Sequence, residues 1–304
     1  MIQAKVYNFM GFRRYALALS VFLLLGAITS LSFQGLQLGL DFTGGTQVEV
    51  GYETPANVEK LRAQLESNGF EKPVVVHFGS DRDVLIRLQG KPEQGLSERV
   101  YEALQSSGET VELRRVDYVG PQIGEELRED GGLGMLAALI TVMIYVALRF
   151  QLKFSIGAVL ALAHDVIITL GFFSITRLEF DLTVLAALLA VIGYSLNDTI
   201  VVSDRIRENF RKIRDTPADE IINESLSQTL WRTLNTSFTT MLVLISLFFL
   251  GGELIHNFAT ALMVGVAIGT YSSIYVAATV MLAMGIDRED LMLPEKGELV
   301  DDLP

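Results

Sequence analysis

The sequence contains no cysteine in its 304 residues. No disulfide framework can form and no thiolate metal site is available, which leaves the redox compartment open. Positive charge is also scarce: 24 Lys and Arg stand against 36 Asp and Glu, a formal net charge of -12. Phosphate backbones are bound by clustered positive charge, so this composition argues against a nucleic-acid partner. The excess acid lies largely in one hydrophilic segment and in the tail "GIDREDLMLPEKGELVDDLP". Apolar residues, by contrast, make up 50% of the chain, with mean hydropathy +0.39. A soluble domain of this size buries only part of its surface, so a chain this apolar points to the bilayer as its solvent.

Five nearly charge-free windows have the length needed to cross the hydrocarbon: Tyr15 to Leu31, Leu133 to Leu148, Phe154 to Ile175, Leu182 to Val202 and Phe258 to Met284. A sixth, Leu234 to Leu250, is apolar from Met241 onward and polar before it. The pattern predicts six spanning helices. The first, in "FRRYALALSVFLLLGAITSLSF", has the basic flank of an export signal but a longer apolar run and no A-x-A site, which predicts an uncleaved anchor. Lys and Arg in short loops set the orientation. With the N-terminus inside, Lys5, Arg13, Arg14, Arg149, Lys153, the run from Arg205 to Arg214, Arg232, Arg288 and Lys296 fall on the cytoplasmic side. The opposite short loops, "RLEFD" and "GGELIHN", hold only Arg177. Both termini are therefore expected in the cytoplasm.

Between the first two spans the composition is that of a globular domain, placed by this topology outside the cytoplasm. "TQVEVGY" reads as a strand, and "TPANVEKLRAQLESNGF" as a helix with Thr54 as N-cap and Pro55 at its first position. Two short strands follow, "PVVVHFG" and "DVLIRLQ", split by a turn at "SDRD"; then a helix in "EQGLSERVYEALQSS" and a strand in "TVELRRVDYVG". The order β-α-β-β-α-β is ferredoxin-like, an α+β fold that names no function by itself. Its sheet could bind an extended peptide by strand addition or serve as a rigid spacer. On the approach to this domain, "GLQLGLDFTGGTQVEV" places Gly44 and Gly45 at a tight turn whose backbone donors Asp41 can satisfy.

Ionisable groups at membrane depth are costly and usually face a bundle interior. His164 and Asp165 lie midway along the third span, and Asn197 and Asp198 lie in the fourth, where Ser195, Asp198 and Thr199 share a face. In the fifth, Arg232, Asn235, Thr236, Thr239 and Thr240 form a polar stripe. The sixth has a small-xxx-small pair, Gly265 and Gly269, followed by the hydroxyl-rich "TYSSIY". Counting from the loops, Asp198 and Arg232 are expected at similar depth. Burial favours a neutral carboxyl and an arginine favours a carboxylate, so the two together can leave Asp198 able to exchange a proton; a static ion pair is the alternative.

Several motifs together resemble the SecF family of membrane subunits of the bacterial protein-export machinery: "GLDFTGGT", "VGPQIG", "AHDV", "VIGYSLNDTIVVSDRIREN" and "TLWRTLNTSFTT". "DFTGG" alone would also suit the paired SecD subunits. The resemblance implies a multi-pass α-helical inner-membrane protein of the resistance-nodulation-division (RND) superfamily, contributing six of twelve helices with SecD supplying the rest. It implies the coupling of polypeptide translocation to the proton gradient, with protons as coupling ion and no bound cofactor. The implied partners are SecD, the SecYEG channel, SecA, YajC, YidC and the translocating polypeptide. By motif position the proton-relay residues are Asp198, Arg232 and Asn197, with Asp165, His164, Asn235, Thr236 and Thr239 in support and Asp41, Gly44 and Gly45 in the periplasmic turn. The implied division is a cytoplasmic start at 1–14, a first span at 15–32, a periplasmic ferredoxin-like domain at 33–130, five spans within 131–285 with a cytoplasmic loop at 204–230, and an acidic cytoplasmic tail at 286–304. Ser203 stands where the family usually has phenylalanine, a departure that touches local packing at the helix end.

Two other classes compete. A proton-coupled RND-type exporter of small molecules shares the architecture but is expected to carry twelve helices and two extramembrane domains in one chain. A membrane aspartyl protease needs paired carboxylates in adjacent spans; Asp165 and Asp198 are so placed, but at different depths and without a G-x-G-D pattern.

Overall fold

The computed structural model describes residues 6–89, 95–106, 110–149 and 152–287. The acidic tail expected at 286–304 falls almost wholly outside the described residues. A 3-10 turn leads into α1 (Arg13–Phe33), after which come β1 (Gln37–Leu38) and the short α2 (Leu40–Thr43). An extramembrane sheet domain follows, built from β2 (Gly45–Tyr52), α3 (Val58–Ser67), β3 (Val74–Phe78), β4 (Ser80–Gln89), α4 (Leu96–Gln105) and β5 (Val111–Val119). The remainder is α5 (Pro121–Arg149), α6 (Leu152–Thr176), β6 (Glu179–Phe180), α7 (Leu182–Lys212), α8 (Ala218–Leu250), α9 (Glu253–Ile274) and α10 (Val276–Ala283). Among the described residues, six stretches are long and apolar enough to cross a membrane, the last formed by α9 and α10 together.

The helices outrun the apolar windows. Residues 204–230, expected as a loop, are mostly helix, because α7 continues to Lys212 and α8 starts at Ala218. Glu208 pairs with Arg205 three residues before it and with Lys212 four after, and such spacing supports a helix in water beyond the hydrocarbon. Likewise α5 starts at Pro121, where a missing N–H costs a helix nothing.

The sheet has the order β3-β4-β2-β5 with every pair antiparallel, the ferredoxin-like arrangement. Alternate residues Val48, Val50, Val84 and Ile86 turn one face toward Leu61 and Leu65 of α3 and Val100 and Leu104 of α4, and all are buried. Two local expectations are corrected. α3 begins at Val58, capped by Asn57, whose side chain accepts the Lys60 N–H at 3.1 Å. Thr54 and Pro55 stay outside the helix because the neighbouring Ala56 N–H is taken by the Asp81 carbonyl, which ties this stretch to the sheet. "SDRD" is not a turn but the start of β4; the reversal is made at Gly79, whose φ of 78° is open to glycine, so that Phe78 pairs with Ser80.

In the bundle, α6, α7 and α9 are central, while α1, α5 and α8 present large apolar side chains outward. That outer surface suits lipid or a partner helix, not water. Close approach of α9 to α7 depends on Gly265 and Gly269: an added Cβ would lie 2.1 Å from Val191 Cγ2 at Gly265 and 3.0 Å from Ser195 Cβ at Gly269. The glycine pair thus serves the chain's own packing.

The sheet domain joins the bundle at one end. β1 pairs in parallel with β6, Gln37 opposite Glu179 and Leu38 opposite Phe180. The "DFTGG" segment packs on "VGPQIG": a Cβ at Gly44 would lie 2.8 Å from Pro121 Cα, and one at Gly124 2.9 Å from the Gly44 nitrogen. Asp41 was expected to cap its own turn, but its Oδ2 accepts the Leu182 N–H at 3.1 Å, at the start of α7. Asp181 completes that cap by accepting the Val184 N–H at 2.9 Å. Across the junction, Arg87 of β4 meets Glu179 at 2.8 Å. The Glu179 carboxyl is held above the usual carboxylate range by burial, opposed by the Arg87 charge.

Candidate functional site

Among the described residues, two carboxylates lie inside the bundle, and hydroxyl groups hold both. Asp198 of α7 is buried; its Oδ1 accepts from Thr233 of α8 at 2.8 Å and its Oδ2 from Ser273 of α9 at 2.6 Å. One side chain therefore ties three helices. Asp165 of α6 is fully buried; its Oδ2 accepts from Ser195 of α7 at 2.5 Å and Ser272 of α9 at 2.7 Å, and its Oδ1 meets His164 Nδ1 at 2.9 Å. Ser195 and Asp198, three residues apart on α7, thus serve the two centres separately. Among the described residues no hydroxyl is shared between the two carboxylates, which is not the arrangement of an aspartyl dyad.

The local sequence explains the geometry. Gly269 has no side chain, and a Cβ there would lie 3.5 Å from Asp165 Oδ2, so the glycine opens the space into which Ser195 and Asp165 fit. Ser272 and Ser273 also return hydrogen bonds to the carbonyls of Gly269 and Thr270, and the helix is interrupted two residues later, at Tyr275. Serine hydroxyls bonded back to their own helix loosen and bend it. Nearby, the Tyr194 hydroxyl reaches Ser237 at 3.0 Å and Ser237 reaches Thr270 at 2.6 Å, a second polar tie among α7, α8 and α9.

The residues singled out in the sequence are distributed over three places. Asp198, His164 and Asp165 are buried in the centres just described. Asn197 is exposed on α7 and takes no part in either centre among the described residues. Arg232, Asn235, Thr236 and Thr239 are exposed on α8, with the Thr236 and Thr239 hydroxyls bonded to their own helix. Asp41, Gly44 and Gly45 sit at the junction with the sheet domain. Asp198 and Arg232, expected at similar depth, form no ion pair among the described residues, which sets aside the static pair. Thr233 faces Asp198, and a one-residue step turns Arg232 about a quarter of the way round the helix. Arg232 instead lines a surface cavity with Asp204, Arg205, Glu208 and Thr229. Thr233, Ser272 and Ser273 are site residues that sequence spacing does not single out; the hydroxyl-rich "TYSSIY" is the visible signal for the two serines.

A family described as "Protein export membrane protein SecD/SecF, C-terminal" matches residues 99–287, which include both carboxylate centres, and "SecD/SecF GG Motif" matches residues 29–56, which include Asp41 and Gly44. The chain is 50% identical to "Protein translocase subunit SecF" of Vibrio alginolyticus, over 99% of this chain and 98% of that one. It is 50% identical to the protein of the same name from Pseudomonas aeruginosa, over 100% of this chain and 99% of that one. Among solved structures it resembles SecDF, described as a translocon-associated membrane protein, from Thermus thermophilus, with a TM-score of 0.82 and 40% identity. That match covers 93% of this chain but only 39% of the SecDF chain. The chain therefore belongs to the SecD/SecF family of protein export membrane proteins and, within it, to the SecF protein translocase subunits, which are multi-pass proteins of the inner membrane.

Proposed function

We propose that this chain works with a SecD subunit to couple the proton gradient to polypeptide translocation, and that Asp198 is the group that titrates. The observation that carries the reading is the setting of Asp198: buried, tied to α8 and α9 by two hydroxyls, and without an ion pair among the described residues. An ionised carboxylate at membrane depth is costly by a few kcal/mol. Ionised, it accepts both hydrogen bonds; once protonated it also becomes a donor, and Ser273 can redirect its hydrogen to the Thr270 carbonyl, 3.0 Å away. One tie between α7 and its neighbours is then remade, and a local charge change becomes a helix displacement. α7 and α9 begin where Asp41, Glu179 and Asn257 join bundle and sheet domain, with the Asn257 side chain donating to the Glu179 carbonyl at 3.0 Å. A shift of these helices reaches the sheet domain, which on this reading is periplasmic and contacts the polypeptide.

The SecD partnership is supported by the outward polar stripe of Arg232, Asn235, Thr236 and Thr239, which lipid would not solvate, and by the longer SecDF chain that this one partly covers. On that surface Arg232 acts as a modulator from the subunit interface. Contact with SecYEG, SecA, YajC and YidC follows from family membership alone. Cytoplasmic termini are supported by where the ends lie: the Met10 N–H donates to Asn223 near the start of α8, and Lys153 donates to Gly285 after α10. The basic residues at those positions gather at one end.

The deciding experiment uses vesicles containing this chain, its SecD partner and the translocon, with an imposed pH gradient. Asp198→Asn is expected to remove the gradient-dependent part of preprotein export while leaving the protein folded in the membrane. Undiminished gradient dependence in that variant would overturn the assignment.

A further inference from the structure

The second centre has a feature that Asp198 lacks. The hydroxyls of Ser195 and Ser272 donate to Oδ2 of the Asp165 carboxylate, and His164 Nδ1 lies 2.9 Å from Oδ1, which as a carboxylate oxygen can only accept. The hydrogen of a neutral His164 therefore sits on Nδ1, where it has a partner. The other ring nitrogen, Nε2, is left as a lone pair, buried and without a hydrogen-bond partner among the described residues. His164 itself is only 3% exposed. Buried polar atoms in proteins are nearly always satisfied, so an orphaned imidazole nitrogen backed by a carboxylate calls for a reason.

The groups around the ring are few. From α9, Tyr271 stacks on His164 with centroids 6.2 Å apart, and Tyr275 lies beyond it at 5.5 Å from Tyr271. The Tyr271 hydroxyl is committed to α1, at 2.6 Å from the Ala16 carbonyl and 2.9 Å from Ser20. α7 supplies Ser195, with Asp198 one turn further along. Among the described residues no charged side chain of α1, α5, α7 or α10 bonds to His164 or Asp165.

We propose that His164 Nε2 is a proton-binding site, and that the His164–Asp165 dyad passes between neutral imidazole with carboxylate and imidazolium with carboxylate. A hydronium ion gives its proton to the Nε2 lone pair: the N–H bond forms as an O–H bond breaks, a water molecule is left, and the net charge of the dyad goes from -1 to 0. The same carboxylate that orients the ring stabilises the imidazolium, as in other carboxylate–histidine pairs. The site deepens the proton-coupled reading and rests on it for its purpose: Ser272, which serves this dyad, adjoins Ser273, which serves Asp198. A change in either centre pulls on one turn of α9.

The chain has three histidines, so His77→Gln and His256→Gln together leave His164 as the single imidazole. Nitrogen NMR of ring-labelled histidine in this variant, assembled with its SecD partner in lipid nanodiscs, reads both tautomer and charge. The expected result is an Nδ1–H neutral ring at high pH that converts to imidazolium between about pH 8 and 5. Asp165→Asn in that background is expected to lower the protonated-to-neutral ratio at a given pH by about tenfold or more. A ring that stays neutral across this range, an Nε2–H tautomer, or a ratio unmoved by Asp165→Asn overturns the proposal. Asp198→Asn separates the two readings. Lost gradient-dependent export with a His164 that never titrates removes the dyad alone, whereas a titrating His164 with export unaffected by Asp198→Asn removes only the role of Asp198.

Discussion

Ser273 donates to Asp198 at 2.6 Å while the residue before it, Ser272, donates to Asp165 at 2.7 Å, so one turn of α9 holds two separate buried carboxylates. Hydrogen bonds to a charged group contribute about 1.5–3 kcal/mol each. Ser272→Ala and Ser273→Ala are therefore each expected to lower the thermal stability of the bundle. Because both act through one turn, the double variant should depart from the sum of the singles by at least about 0.5 kcal/mol. Unfolding of the parent and the three variants in lipid measures this, and strict additivity would show that the two centres are independent.

The α7–α9 contact is a matter of space. Gly265→Leu forces side-chain atoms into Val191 and is expected to destabilise the bundle by about 1–3 kcal/mol or prevent assembly. Gly193→Ala on α7, where an added Cβ meets nothing within 4 Å, serves as the control and should stay within about 0.5 kcal/mol of the parent.

Arg232 faces outward, so it should matter to assembly more than to the fold. Arg232→Ala is expected to leave the unfolding midpoint of this chain nearly unchanged while reducing gradient-dependent export and the yield of complex with SecD. Since the chain has no cysteine, single cysteines at Asn235 or Thr239 give unambiguous crosslinks. Crosslinks to SecD are expected, and labelling by lipid-soluble reagents instead would place this face in the bilayer.

The junction of sheet domain and bundle should respond to pH through Glu179. Burial holds its carboxyl above the reference value of 4.5, so the folded state keeps a proton that the unfolded chain has released. Stability from this group is complete below pH 4.5 and is lost as pH rises through the higher folded value. Arg87→Met removes the charge that opposes this shift, extends the loss to higher pH and costs about 3 kcal/mol near neutrality. Glu179→Gln should flatten the pH dependence. Melting curves between pH 4 and 8 on the two variants, read from the sheet domain, test both signs.

Much of the architecture was legible from short-range pattern. Runs of apolar residues of membrane-crossing length can be satisfied in few ways, and the alternation in "TQVEVGY" with the helix–strand order around it led to the ferredoxin-like sheet. What the pattern missed were ends and caps: Asn57 replaced Thr54 because the Ala56 N–H was claimed by Asp81, a residue distant in sequence. The helices outran their apolar windows because charged pairs such as Arg205 and Glu208 stabilise helix in water, where hydropathy is silent.

The sequence by itself determined the solvent, the number of spans, the family motifs and the presence of carboxylates at Asp165 and Asp198, because these depend on composition and spacing along one chain. Tertiary structure decided which groups those carboxylates meet. Asp198 faces Thr233 and Ser273 rather than Arg232, Asp41 caps α7 rather than its own turn, and Gly265 and Gly269 serve internal packing. A one-residue step rotates a side chain by about 100° around a helix, so partners across helices depend on rotation and close approach that linear spacing does not specify.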